Sequence, residues 1–206
     1  MDIKNKQGQV IYQSSFVTLK KTLESAAQEG ACLRYADLRR ARLSGVALEG
    51  VDLTGSCLWG ADLSGCHMTG AILNAADMRM TTLKDSCFAE ARLIKADLRG
   101  AHFAQTILSE ADLSLAHISC PSFFSQNLTH VIMNGLNYWH RGEDHMVLDR
   151  PPVVISGLAV RVVLLSSGHL IGDTYYPNGD VKRSPAINLH NDNIAIRKIF
   201  PRLNAF

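Results

Sequence analysis

Histidine and cysteine are the side chains here best suited to metal ligation or nucleophilic attack, and the sequence has eight of the first and five of the second. The densest cluster is His140, Glu143, Asp144 and His145. Its spacing misses the two-histidine helical pattern that holds zinc, and the intervening Arg141-Gly142 reads as loop, so no metal is expected there. Cys66 stands beside His67, a pairing that would suit thiolate chemistry if both groups faced one substrate. His67, His102 and His117 are spread along the chain. No glycine-rich phosphate loop, nucleophile elbow or carboxylate pair is present, which argues against an enzyme and implies no cofactor. Should catalysis exist, Asp173, Tyr175, Tyr176 and Asp180 around the Asn178-Gly179 turn would be its place, although a plain hairpin explains that cluster more simply.

The elements that carry these residues follow an unusual period. From residue 31 an apolar side chain recurs at every fifth position, from Leu33, Leu38, Leu43 and Leu48 through Met68, Phe88 and Phe103 to Ile118. Two residues before each sits a small one, such as Ala36, Val46, Ser56, Cys66 or Ala96. Neither a helix nor a simple strand has this period. In extended backbone, residues two apart share a face, so the small residue and the following apolar one point inward while their neighbours point out. The fifth position turns a corner, and glycine takes it at Gly45, Gly50, Gly55, Gly60, Gly65, Gly70 and Gly100. Cys66 therefore lies inward and shielded, and the three histidines lie outward on different sides. Catalytic and metal roles are not expected for them.

This A(D/N)LXX pattern over residues 31–135 resembles the pentapeptide-repeat family. The resemblance implies an all-β-dominated fold, a right-handed quadrilateral β-helix of about five coils with four pentads per coil. Beyond Ile118 the pattern decays through Phe123, Leu128 and Met133, with Pro121 and Gln126 in the small-residue slot, and the solenoid is expected to fray or be capped there. Residues 1–30 read as a strand at 10–12 and a capping helix over 16–29. Residues 136–150 read as cap or linker. Residues 151–206 form a small β-rich tail domain, with strands over 153–155, 160–165 and 169–176, expected to pack on the solenoid end.

With four pentads per coil, residues twenty apart stack directly. One outward column is then Arg39, Trp59, Arg79, Arg99 and Ser119, beside a second column of Asp37, Cys57, Asp77, Asp97 and His117. Aspartate and arginine flank the same apolar residue in three of these coils. That is either a solvated face with neutralised charge or a contact stripe, and arginine and tryptophan are the residues that most often anchor interfaces. Arg39, Trp59, Arg79 and Arg99 are the candidate partner-binding residues. The side bearing Ala47, His67, Cys87, Ile107 and Asn127 is nearly uncharged.

Some members of the resembled family bind type II topoisomerases by imitating duplex DNA. Nine basic against ten acidic residues over 31–135 give no continuous negative surface to substitute for phosphates. The net charge of +2 also predicts no strong nucleic-acid footprint. The basic residues Lys182, Arg183, Arg197, Lys198 and Arg202 are scattered without stacking aromatics and read as solvated surface. Odd in number and confined to the repeats, the cysteines read as reduced. No apolar segment long enough for a signal or a membrane span is evident. The expectation is a cytoplasmic, non-catalytic scaffold, adaptor or inhibitor that binds a protein. The alternatives are modulation of a DNA-processing enzyme such as a type II topoisomerase by partial DNA mimicry, and an enzyme in the tail.

Overall fold

The computed structural model describes residues 1–139, 145–148, 151–155, 162–164, 168–171 and 174–177. The chain divides into two compact units, Met1–Pro151 and Pro152–Phe206.

The first unit is a coil with a twenty-residue turn. Parallel bridges link Asp37 to Cys57, Arg42 to Asp62, Ala47 to His67 and Asp52 to Ile72, and the same offset repeats along the chain. Each rung has one bond in each direction: the Leu48 amide donates to the His67 carbonyl at 2.8 Å, and the His67 amide donates to the Val46 carbonyl at 3.0 Å. The corners close by a three-residue return, as where the Val46 amide donates to the Leu43 carbonyl at 3.0 Å. Gly45, third residue of that turn, has φ of 69°, the left-handed value such a turn demands. A positive φ recurs at every fifth residue from Gly30 to Leu115, so each coil has four sides. Among the described residues, eleven non-glycine residues occupy this conformation, including Arg40, Met80, Lys95 and Glu110. The corner is thus imposed by the fold and not by glycine alone, at a cost of about 1–2 kcal/mol for each side chain held there.

The inward slots form the core. From Leu33 and Ala36 to Ala116 and Ile118 the small and central residues are buried in alternation with exposed or half-buried neighbours, except that Ala41 is half-buried and the outward Cys57 is buried. Three polar residues in the small slot turn their hydroxyls back to the chain: Thr81 Oγ1 donates to the Met78 carbonyl at 2.7 Å, Thr106 Oγ1 to the Leu83 carbonyl at 2.8 Å, and Ser86 Oγ to the Leu83 carbonyl. Satisfied in this way, they cost little on burial, whereas the buried Ser56 hydroxyl has no partner among the described residues.

At the start of the chain, β1 (Asp2–Lys4) and β2 (Val10–Gln13) form an antiparallel hairpin, followed by α1 (Leu19–Gln28). Thr18 is the N-cap, and Thr22, Leu23 and Ala26 form the buried face. The Lys4 carbonyl accepts the Asp37 amide at 2.7 Å, the bond that the carbonyl of an earlier coil would otherwise take.

Past Ile118 the coil neither frays nor stops. β3 (Asp97–Leu98), β4 (His117–Ile118) and β5 (Leu136–Trp139) are parallel neighbours on one side, and β6 (His145–Leu148) pairs antiparallel with β5. The interruption is confined to one stretch, where Pro121 opens a 3-10 helix, Pro121–Ser125. Proline has no amide to close the corner. Phe123 and Phe124 turn inward there, with Phe123 edge-on to Phe103 at 5.4 Å and Phe124 against Tyr138 at 4.7 Å.

In the second unit, β7 (Val153–Ile155), β8 (Val162–Leu164), β9 (Gly168–Ile171) and β10 (Thr174–Pro177) form an antiparallel meander in chain order. Asp173, Asp180, the side chains of Tyr175 and Tyr176, and the basic positions from Lys182 to Arg202 lie outside the described residues.

Candidate functional site

The side of the coil built on Leu38, Leu58, Met78, Leu98 and Ile118 presents the aspartate and arginine columns. In three coils an Asp-x-Arg segment closes on itself. Arg39 Nε and Nη2 donate to Asp37 Oδ1 and Oδ2 at 2.8 and 2.6 Å. Arg79 makes the same fork to Asp77 at 2.8 and 2.9 Å, and Arg99 to Asp97 at 2.9 and 2.7 Å. In extended backbone, residues two apart lie on one face, so the fork forms within a single strand. Such two-point, charge-assisted pairs are geometrically the most defined of ion pairs. Arg79 Nε also lies 3.7 Å from Asp97 Oδ2 of the next coil.

The forks at Arg39 and Arg79 hold both of their groups in their charged forms. Hydrogen bonding and charge from Arg39 and Arg79 hold the Asp37 and Asp77 carboxyls below the usual carboxylate range, despite partial burial. The same aspartates raise the guanidinium pKa of Arg39 and Arg79, as Asp97 does for Arg99. The face carries many charged groups and little net field.

Two tryptophans, Trp59 and Trp139, bracket Arg79 and Arg99. Trp59 sits between Arg39 and Arg79 in the column, half-buried, with the Arg40 guanidinium 4.7 Å from its ring centre. Cys57 takes the aspartate slot in that coil, with its thiol 3.8 Å from Asp77 Oδ2. Farther along, the Arg99 guanidinium lies 5.6 Å from the Trp139 ring, and Trp139 Nε1 donates to His117 Nδ1 at 3.1 Å. The sequence reading placed Trp139 only within the cap or linker of residues 136–150. The signal for its place was present, because 139 is 99 plus two coils of twenty.

The structure puts Arg39, Trp59, Arg79 and Arg99 on one face and leaves the chemical candidates apart. His67, His102 and His117 occupy three different sides of the coil. Cys66 is fully buried and donates to the Leu43 carbonyl at 3.0 Å, while His67 beside it is exposed. Burial pushes the Cys66 thiol up to about 11, which removes the thiolate needed for attack. His140, Glu143, Asp144 and the His145 side chain lie outside the described residues. Among the described residues no group of three or more histidine, cysteine or acidic side chains is arranged to hold a metal. None of their helices is long and apolar enough to cross a membrane.

The class is therefore a repeat solenoid with a fixed outward array. A family model of pentapeptide repeats, in eight copies, matches residues 29–60, 58–88 and 86–119, and this coil belongs to the pentapeptide-repeat family. Among solved structures, a pentapeptide repeat protein from Nostoc is 25% identical over 59% of this chain and 99% of its own, with a TM-score of 0.47. A pentapeptide repeat protein involved in heterocyst differentiation regulation, also from Nostoc, is 35% identical over 44% of this chain and 51% of its own, with a TM-score of 0.34. A plasmid-mediated fluoroquinolone resistance protein is 24% identical over 39% of this chain and 52% of its own, with a TM-score of 0.23. The chain thus spans about half the length of the last two. No curated protein matches the chain by sequence.

Proposed function

We propose that this chain is a non-catalytic, cytoplasmic scaffold that binds a protein partner through the stripe of Arg39, Trp59, Arg79 and Arg99, extended by Trp139. The observation that carries this reading is that the arginines are already locked. Immobilising a rotamer-rich side chain on binding costs about 0.5–1.5 kcal/mol. Each fork meets most of that cost in the free protein, and each arginine keeps its Nη1 for a partner, while Arg39 and Arg79 also keep the face of the guanidinium. Arg79 and Arg99 remain 44% and 42% exposed while their aspartates are 22% exposed, which puts the donors at the surface and the counter-charges behind them.

The same forks weigh against DNA mimicry. A mimic must offer unpaired carboxylates in a row, and Asp37, Asp77 and Asp97 are each held by an arginine. Topoisomerase modulation is therefore the lesser reading.

Affinity capture from nuclease-treated bacterial lysate, read by mass spectrometry, tests the proposal. The native chain should retain a defined protein that a folded Trp59→Ala, Arg79→Glu, Arg99→Glu variant loses. Retention of the same set by both chains would sink it.

A further inference from the structure

The interrupted coil leaves a vacancy in the backbone ladder on a different side from the stripe. In regular coils the amides of the central and corner residues donate to carbonyls nineteen residues on, as Phe88 does to Ile107 and Glu90 to Ser109. One coil later the pattern fails. The amides of Gln105, Leu108 and Glu110 have no acceptor among the described residues, and the Thr106 carbonyl receives no amide there. Bridges run from His67 to Cys87 and from Cys87 to Ile107, with no corresponding bridge from Ile107 to Asn127.

Side chains fill in elsewhere along this break. Ser119 Oγ accepts the Gly100 amide at 2.9 Å, Ser122 Oγ the Phe103 amide at 3.2 Å and Gln126 Oε1 the Thr106 amide at 2.9 Å. They stop at Thr106. Between this edge and residues 122–127 lies an open cavity of about 710 Å³, lined by Phe103, Leu108, Ile107, Ser125 and Asn127 among others. Phe103 and Leu108 are core residues and give it an apolar floor, whereas Ile107 is 53% exposed on its outer lip.

We propose that this edge docks one extended peptide segment of a partner, running parallel to residues 106–110. The guest residue opposite Ile107 donates its amide to the Thr106 carbonyl and accepts from the Leu108 amide. The guest carbonyl two residues on accepts from the Glu110 amide. These are the bonds each regular coil makes to the next, and strand addition at an exposed edge draws its affinity from such main-chain bonds. By strand alternation the residue after the first guest position points into the cavity and is apolar. The next one points outward beside Glu110. Glu110 and Glu90, successive in one corner column, are exposed and have no ion-pair partner among the described residues. That position is therefore lysine or arginine. The ligand class is an extended peptide with an apolar residue followed directly by a basic one.

The test uses a fully randomised, phage-displayed heptapeptide library selected on the full chain. The expected result is enrichment of the apolar-basic dipeptide, at least tenfold weaker binding of the selected peptides to Glu110→Lys, and a shift to apolar-acidic dipeptides when the library is selected on that variant. Ser125→Trp, which fills the cavity from an exposed position, should also weaken binding at least tenfold, and Arg42→Ala, exposed on another side of the coil, should leave it unchanged. By NMR the bound peptide should slow exchange of the Leu108 and Glu110 amides. The proposal is overturned by no enrichment, by binders indifferent to both Glu110→Lys and Ser125→Trp, or by unchanged exchange at those two amides. A homodimer that Ser125→Trp dissociates would make a second copy the occupant and would equally overturn it.

Discussion

Replacing Gly55 by alanine separates the two costs that a corner residue carries in this fold. Gly55 and Gly70 both sit at corners, with φ of 69° and 67°. An alanine Cβ at Gly70 would meet no atom within 4 Å, whereas at Gly55 it would come within 2.5 and 2.6 Å of Tyr35 ring carbons. For Gly70→Ala the cost is the left-handed backbone alone, about 1–2 kcal/mol, reduced by about 0.5–1 kcal/mol from the lower entropy of the unfolded chain. The net is about 1 kcal/mol. Gly55→Ala adds displacement of the Tyr35 ring from its stacked position, a further loss of about 1 kcal/mol of the size seen for off-rotamer side chains. Tyr35→Ala should cancel that second part, so a double-mutant cycle between positions 35 and 55 should show coupling of about 1 kcal/mol. Urea unfolding of the four proteins, with Gly70→Ala as reference, measures all of this. Equal losses for Gly55→Ala and Gly70→Ala, with zero coupling to Tyr35, would refute the view that side chains of one coil lie over the corners of the next.

Two further outcomes follow from the charged and buried groups. Asp77 has a folded pKa below its unfolded value, so its contribution is present above the ordinary carboxylate pKa of about 3.9 and is lost as pH falls through the depressed folded value. With Arg79 largely exposed, that contribution is at most about 1 kcal/mol. Urea midpoints of wild type and Asp77→Asn should differ at pH 5 and converge toward pH 2; a constant gap would contradict the fork. Because Cys66 is buried with its thiol raised to about 11 while Cys32 is exposed, iodoacetamide at pH 8 should label Cys32 in minutes and Cys66 only on unfolding. Peptide mass spectrometry would detect the reverse order.

Much of the coil was legible because each pentad is constrained twice, by its inward slots and by its corner. Leu33 to Ile118 fall into the core without a phase break, and the column of Arg39, Trp59, Arg79 and Arg99 follows by adding twenty. What escaped were features the period does not encode. The 3-10 helix at Pro121–Ser125 replaces one side because proline cannot close a corner, and the inward turn of Phe124 needs Tyr138 as its neighbour, fourteen residues later. A strand as short as β1 gives too few residues for alternation to register. The first helix begins at Leu19 and not at residue 16 because Thr18 accepts the Lys21 amide, at 3.4 Å, and leaves Val17 91% exposed. The forks were anticipated as flanking charges, but their two-point geometry depends on side-chain torsions that a sequence pattern does not fix.

The most direct test of the stripe is calorimetric titration of the captured partner against wild type, Trp59→Ala and, on another side of the coil, Glu49→Ala. An anchor residue contributes about 2 kcal/mol or more, close to 30-fold in affinity, so Trp59→Ala should weaken binding by at least that factor while Glu49→Ala changes it less than about twofold. Equal affinities for wild type and Trp59→Ala, or a larger loss from Glu49→Ala, would contradict the assignment of the binding face.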